Sequence, residues 1–401
     1  MYKTPVSGRL HIGIFGKRNS GKSSLINALT GQPLAIVSDV AGTTADPVFK
    51  TMEILPIGPC VIIDTAGIDD EGALGKLRIK KTLGVVEKTD IAVIVVEAGQ
   101  EAGKYEDELV DLFKKGGIPF FFAVNKSDLG DSESTEASLS MKKYKSVPIS
   151  CTLKKGIENF KRALINEAPR DWAPVPLIGD VLKEKQTAVL VCPVDSAMPQ
   201  GRLILPEVQV LRDVLDSNAA GFVTKDTELR MVLNSLRGAP DLVVTDSQVF
   251  ETVKDIIPED VPLTSFSIVY ARHKGDLNEF IKGAKAISGL KDHDRVLISE
   301  SCTHHPQPED IGRVKLPNWI KSYTGKELRF DTVPGGHFPE DISQYSLVVQ
   351  CGGCMVNRRL IISRISSCRE AGVPITNYGV IIAYMNGISG EGGCSLQRRF
   401  R

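Results

Sequence analysis

One stretch limits the folds open to this chain more than any other: GKRNSGKS, from Gly16 to Ser23. It follows an apolar run, Leu10–Phe15, and opens a helically spaced one, Ser23–Leu29. The pattern G-x-x-x-x-G-K-[ST] between strand and helix makes a phosphate cradle. Gly16 and Gly21 let backbone N–H groups close on phosphate oxygens, and the helix N-terminus adds the positive end of its dipole. Asn19, Ser20 and Ser24 belong to the same phosphate-binding run. Lys22 is placed to reach the β- and γ-phosphates and to act in catalysis, and Ser23 to ligate Mg²⁺.

The next residues alternate strand and helix. Cys60–Ile63, Ile91–Val96, Pro119–Val124 and Val147–Ile149 read as buried strands, with helices at Lys76–Val86 and Tyr105–Lys115. That alternation predicts an α/β fold with a parallel sheet covered on both faces. Ligands of such sheets bind at the carboxyl ends of the strands. DTAG, Asp64 to Gly67, ends one strand: Asp64 suits Mg²⁺, and the Gly67 amide can sense the γ-phosphate. NKSD, Asn125 to Asp128 and including Lys126, ends another. A carboxylate there accepts from the N1 and N2 donors of guanine, which adenine lacks, so GTP and GDP are the expected nucleotides. Ser150 and Cys151 would close over the base.

The 49 basic and 49 acidic residues cancel, so no net field points to nucleic acid or to an anionic membrane. No apolar run approaches the roughly 20 residues of a membrane span, and no secretory pattern opens the chain, so a cytoplasmic protein is expected. Its eight cysteines should then not form structural disulfides. At 401 residues, two or three domains are expected. The predicted division is a P-loop GTPase domain over 1–170, a smaller α/β domain over 171–261 and another over 262–401. The segment from Asp171 to Asp180, rich in proline, reads as a linker. Helices at Pro206–Asp216 and Glu228–Leu236 mark a middle domain without catalytic signatures, whose expected role is packing, including dimerisation.

The first third resembles the translation-factor-related GTPases with an MnmE- or Era-like domain, through GKRNSGKS and the switch-like AGTTAD, Ala41 to Asp46. That resemblance implies that Thr44 is a catalytic switch threonine that closes on Mg²⁺ within Ser38–Lys50. It also implies that Asn19 helps to bind K⁺ beside the phosphates. Ala45 stands where those enzymes carry arginine. Ile68 stands where Ras-like enzymes carry a water-positioning glutamine. Slow, K⁺-stimulated hydrolysis is the expectation.

In the last third, helices are predicted at Lys274–Leu290 and Arg358–Ala371, and strands at Arg295–Ser299 and Leu347–Gln350. Both strands run into cysteines: Cys302 after the first, and the C-x-x-C pair Cys351 and Cys354 after the second. The spacing is compatible with a structural zinc site that adds His304. It is equally compatible with an iron–sulfur cluster held by three thiolates, and a turn that holds no metal also stays open. A redox C-x-x-C needs a thioredoxin-like start, which is not obvious here.

The order of these elements, with CTHHPQPEDIG, CGGCMVNRR and TNYGVIIAY, resembles the HydF family of [FeFe]-hydrogenase maturation GTPases over the whole chain. The resemblance implies a [4Fe-4S] cluster on Cys302, Cys351 and Cys354, with His304 as a further ligand. Gln350 replaces the family's second histidine, which leaves the fourth iron site to His304, to Glu300 or to an exogenous group. The implied role is a homodimeric scaffold or carrier. It would take a transient diiron precursor from radical-SAM maturases and deliver it to apo-[FeFe]-hydrogenase. Two other readings stay open at this point. One is an RNA-modification or ribosome-associated GTPase with a structural zinc. The other is an iron–sulfur redox sensor with GTP state as its output.

Overall fold

A computed structural model describes residues 5–30, 48–65, 82–169, 175–194, 203–301, 310–335 and 338–387. The chain divides into two compact units, Met1–Ala173 and Pro174–Arg401.

The first unit is built on β1 (Leu10–Phe15), β2 (Val48–Ile54), β3 (Gly58–Asp64), β4 (Ile91–Glu97), β5 (Phe120–Asn125) and β6 (Ser146–Pro148). They form one sheet in the order β2-β3-β1-β4-β5-β6. All neighbours are parallel except β2, which runs antiparallel to β3 with Val48 opposite Asp64. Successive side chains of a strand point to opposite faces. Ile12, Ile14, Val93, Val95 and Phe121 therefore fill one core, and Ile94, Val96, Phe122 and Val124 fill the other. Double burial explains why these strands read as unbroken apolar runs. The helices α1 (Lys22–Thr30), α2 (Lys104–Gly116), α3 (Ser132–Met141) and α4 (Ile157–Glu167) lie between the strands in sequence, and residues 82–86 are also helical. The chain leaves β1 toward β3 on one side and later returns to β4 on the other. The carboxyl end of β1 is therefore the switch point of the sheet, where ligands of open α/β sheets bind.

The second unit contains two sheets of four parallel strands. One is β10-β9-β7-β8, built from β7 (Thr187–Val191), β8 (Ala220–Thr224), β9 (Leu242–Thr245) and β10 (Leu263–Ser265). The other is β12-β11-β13-β14, built from β11 (Arg295–Ser299), β12 (Arg329–Val333), β13 (Leu347–Gln350) and β14 (Ile375–Asn377). The middle sheet runs past residue 261, because Leu263–Ser265 pairs with Val243–Thr245. Its helices are α5 (Leu205–Asp216), α6 (Leu229–Ser235) and α7 (Phe250–Ile256). Then follow α8 (Phe266–Lys274), α9 (Leu277–Lys285), α10 (Leu316–Thr324), α11 (Arg358–Glu370) and α12 (Tyr378–Met385).

The predicted helix over Lys274–Leu290 is corrected. One helix ends at Lys274, and a second starts after Asp276, whose carboxylate accepts from the N–H groups of Asn278 and Glu279 at 3.0 and 3.2 Å. An aspartate satisfying two orphan donors is an N-cap, and it opens a new helix there.

The proline-rich segment predicted as a linker is docked from its middle onward. Leu177 and Ile178 are buried in the middle core, and Asp213 accepts from the Ile178 and Gly179 N–H groups at 2.7 and 2.6 Å. The imidazole of His273, on α8, meets the Val175 carbonyl. Burial pulls this histidine down to about 4; Lys274 and Arg358 push the same way, while the Val175 bond and Asp213 oppose it. The folded state therefore holds it neutral, whereas the unfolded chain takes up the proton near pH 6.5. Stability from this group is complete above pH 6.5 and is lost as pH falls toward 4. Between pH 7.5 and 5, denaturant titration should show the wild type losing about 2 kcal/mol more than His273→Gln.

Candidate functional site

The phosphate loop is shaped by close approach. Gly16 and Gly21 have φ of +148° and +96°. A Cβ on Gly16 would lie 2.4 Å from the Val95 carbonyl oxygen, and one on Gly21 would lie 2.0 Å from the Asn125 amide nitrogen. Between them Asn19 is left-handed at φ +59°, the kind of turn that aims successive N–H groups at an anion. The buried Lys22 ammonium donates to the Gly16 and Lys17 carbonyls at 2.8 and 2.7 Å, which fixes its charge across the loop. Ser20 Oγ donates to the Lys17 carbonyl at 2.9 Å. Ser24 is half-buried in the first turn of α1.

Ser23 Oγ donates to Asp64 Oδ2 at 3.0 Å, so the first turn of α1 and the end of β3 bring the two predicted Mg²⁺ groups together. Burial raises the Asp64 carboxyl above its ordinary range, while Ser23, Lys22 and Lys50 pull it down. Lys50, on β2, is a basic group beside this site that sequence reasoning placed only at the end of the switch segment. Thr44 and Gly67 lie outside the described residues.

The base-recognition motif is tied to the same loop. Asn125 donates from its amide to the Ser20 carbonyl at 2.9 Å and accepts from the Cys151 N–H at 3.3 Å. One side chain thus spans the phosphate loop and the loop after β6. Lys126 is left-handed at φ +61° and pairs with Glu97 at 2.9 Å. Ser150 is fully buried, and its hydroxyl accepts from the Leu153 N–H at 3.1 Å. Asp128 is exposed. The Cys151 thiol is raised to about 12, first by burial and then by the Asp128 carboxylate, which places the two side chains near one another. These residues, contributed by four loops, surround the carboxyl edge at the switch point.

A second constellation lies in the other unit. Ser299 and Gln350 are paired at the ends of β11 and β13. Cys351 follows directly, and its Sγ accepts from the Ser301 N–H at 3.1 Å and from the Gln350 amide at 3.4 Å. Gly353, left-handed at φ +66°, turns the chain toward Cys354. Cys354 packs on the core of the middle sheet. Its thiol is raised by burial first and by Cys351 next, and lowered by Lys274. The Lys274 ammonium, from α8, donates to the Gly353 and Cys354 carbonyls at 3.1 and 3.3 Å and also to the Val356 carbonyl.

Beneath the turn, the buried Arg364 guanidinium donates to Ser299 Oγ and Gln350 Oε1, both at 2.9 Å, and to the Gly335 carbonyl at 2.7 Å. Gln350 thus spends its oxygen on Arg364 and its amide on Ser301 and Cys351. The buried Glu300 carboxylate pairs with Arg313 at 3.1 Å. Cys302 and His304 lie outside the described residues, and among the described residues no group of three or more metal-ligating side chains converges. Sequence reasoning missed Lys274 and Arg364. A single basic residue in a helix carries no mark that distinguishes a buried clamp from a solvated side chain.

The fold and the loop chemistry define a P-loop guanine-nucleotide-binding protein of the GTPase class, and a model for 50S ribosome-binding GTPases matches residues 11–126. Two further models, the hydrogen maturase F dimerization domain at 177–275 and the hydrogen maturase F tetramerization domain at 278–390, match the second unit. The chain belongs to the hydrogen maturase F family, HydF. Among individual relatives, the tRNA modification GTPase MnmE of Burkholderia thailandensis is 38% identical over 129 residues, 32% of this chain and 27% of that protein. GTPase Der of Wolinella succinogenes is 39% identical over 131 residues, 32% of this chain and again 27% of its own length. The chain thus matches about a quarter of each of these two curated relatives. The structure of a point variant of Aquifex aeolicus Era bound to GDP.AlF4- shares 19% identity, covering 61% of this chain and 97% of that one, with a TM-score of 0.37. No helix among the described residues is long and apolar enough to cross a membrane.

Proposed function

We propose that this chain hydrolyses GTP in its first unit and acts, through its second, as the scaffold or carrier that brings a diiron precursor to apo-[FeFe]-hydrogenase. The observation that carries the proposal is the Cys351–Cys354 turn. In a chain of the hydrogen maturase F family, two thiols share a glycine-rich turn at the carboxyl edge of a parallel sheet. An N–H group is already directed onto one sulfur. Amide donors to sulfur and a nearby ammonium are groups that stabilise thiolate, so the donor set fits a [4Fe-4S] cluster. Cys302 is bonded to Ser301, whose N–H meets Cys351, and that connection supports Cys302 as the third thiolate. Such a cluster would offer an iron with a replaceable ligand to the incoming diiron unit. His304 is the protein group we favour there, because Arg313 occupies Glu300.

In the first unit, Gly16, Ser20, Gly21, Lys22 and Ser24 would hold the phosphates of GTP or GDP. Ser23, Asp64 and Thr44 would hold Mg²⁺, and Asn19 would contribute to K⁺. Asn125, Lys126, Asp128, Ser150 and Cys151 would read guanine. Gly67 would sense the γ-phosphate. Hydrolysis would be slow and raised by K⁺, and nucleotide state would reset partner contacts. The domain division we favour is GTPase to residue 170, a middle domain that continues past the expected boundary at 261 through β10 and α8 to about residue 275, and a cluster domain beyond, in a cytoplasmic protein. Dimerisation would use the β8 edge, where Phe222 and Val223 are exposed, since an unpaired apolar edge strand invites pairing with another chain.

The test is activation of apo-hydrogenase by anaerobically loaded protein. Wild type should activate it, while Cys302→Ala should abolish activation with GTP turnover retained. Undiminished activation by that variant would refute the carrier role of the thiols.

A further inference from the structure

Lys274 is an unusual side chain for its place. It is 3% exposed, at the end of a helix buried along most of its length. Its ammonium reaches the carbonyls of Gly353, Cys354 and Val356 and lies 5.7 Å from the Tyr270 ring centroid. Among the described residues no carboxylate lies within ion-pair distance of it. Burial pulls the ammonium down to about 8, which leaves it mostly charged at neutral pH, and the side chains that oppose the burial are Cys354 and Cys351. A buried cation without an opposing charge is costly. Carbonyl dipoles offset part of that cost. Two thiolates within electrostatic reach would supply the rest, and thiolates are what a metal-bound C-x-x-C turn contains.

We propose that Lys274 is the positioning residue of the cluster site. Its ammonium locks the Cys351–Cys354 turn onto the middle domain and provides fixed positive charge beside the sulfur ligands. The inference rests on the reading of that turn as a cluster site. It also gives the junction between the two domains a role. Lys274 stands at the end of the segment matched by the dimerization-domain model, yet all its carbonyl partners lie in the segment matched by the tetramerization-domain model. A displacement of α8 would therefore be felt directly at the turn. Reduction adds negative charge to a cluster, and local charge and hydrogen bonds set its potential. The ammonium should accordingly favour the reduced state and retard loss of iron.

The experiment compares wild type, Lys274→Gln and Lys274→Arg as full chains, reconstituted anaerobically with iron and sulfide. Midpoint potential is read by mediated redox titration with EPR detection, and iron loss is read with a chelator. Lys274→Gln keeps a donor and removes the charge. Its potential should shift to a more negative value and its iron should leave faster, while Lys274→Arg should return both toward wild type. A Lys274→Gln protein with wild-type potential and iron loss would overturn the proposal. If Lys274→Gln assembles no cluster, Lys274→Arg decides: recovered iron supports the role of charge, and loss in both variants overturns it. Wild type that takes up no iron at all would instead remove the cluster reading, and this inference with it.

Discussion

Asp128→Asn is expected to weaken GTP binding by on the order of 10²–10⁴-fold and to confer binding of xanthosine triphosphate. In the guanine site proposed here the carboxylate would accept from both the N1 and N2 donors of the base, and a charged acceptor is worth roughly 1.5–3 kcal/mol per bond. Asparagine keeps one acceptor, for N1–H, and adds an NH₂ donor. That donor repels the guanine amino group but matches the carbonyl that xanthine carries at the same position. The exchange should leave the site intact. Asp128 is exposed, while the bonds that build the pocket run through Asn125 to the Ser20 carbonyl and the Cys151 N–H. Titration with fluorescent GTP and xanthosine triphosphate analogues checks it. An Asp128→Asn protein that binds GTP as wild type does would show that this carboxylate does not read the base.

Lys22→Ala should lower GTP turnover by about 100-fold or more. The ammonium is the positive charge that two loop carbonyls, those of Gly16 and Lys17, hold across the phosphate loop. In the site proposed here its removal would delete charge beside the transferred phosphoryl group and release the loop carbonyls. Phosphate release measured in K⁺ and in Na⁺ checks this, with iron content of the same preparations expected to stay unchanged. The pair of measurements matters because Lys22 and the C-x-x-C turn belong to different compact units.

Much of this architecture is legible in the residues, for a physical reason. A strand buried on both faces leaves an uninterrupted apolar run, so β1, β11 and β13 coincide with the runs read from sequence, Leu10–Phe15, Arg295–Ser299 and Leu347–Gln350. The phosphate loop is legible because Gly16 and Gly21 stand where any side chain would meet Val95 or Asn125. The strand β2 was less legible, since its burial is mixed and polar residues alternate along it. The break between α8 and α9 was written in the sequence as Asp276 with Glu279 three residues later, but the surrounding apolar spacing obscured it. What sequence could not supply is the meaning of lone charges. Lys274 and Arg364 look like solvated helix residues until the fold buries them, and Gln350 looks like a lost ligand until its amide is seen bonded to Arg364, Ser301 and Cys351.

The central claim is that one chain joins a GTP site to a thiolate-held iron–sulfur cluster. Iron, zinc and acid-labile sulfide should be determined in anaerobically prepared wild type and Cys351→Ala, with GTP turnover measured on the same samples. The account predicts brown wild-type protein with about four irons and four sulfides per chain, a Cys351→Ala protein that holds little iron, and equal turnover in both. A colourless wild type carrying one zinc and no sulfide would contradict it.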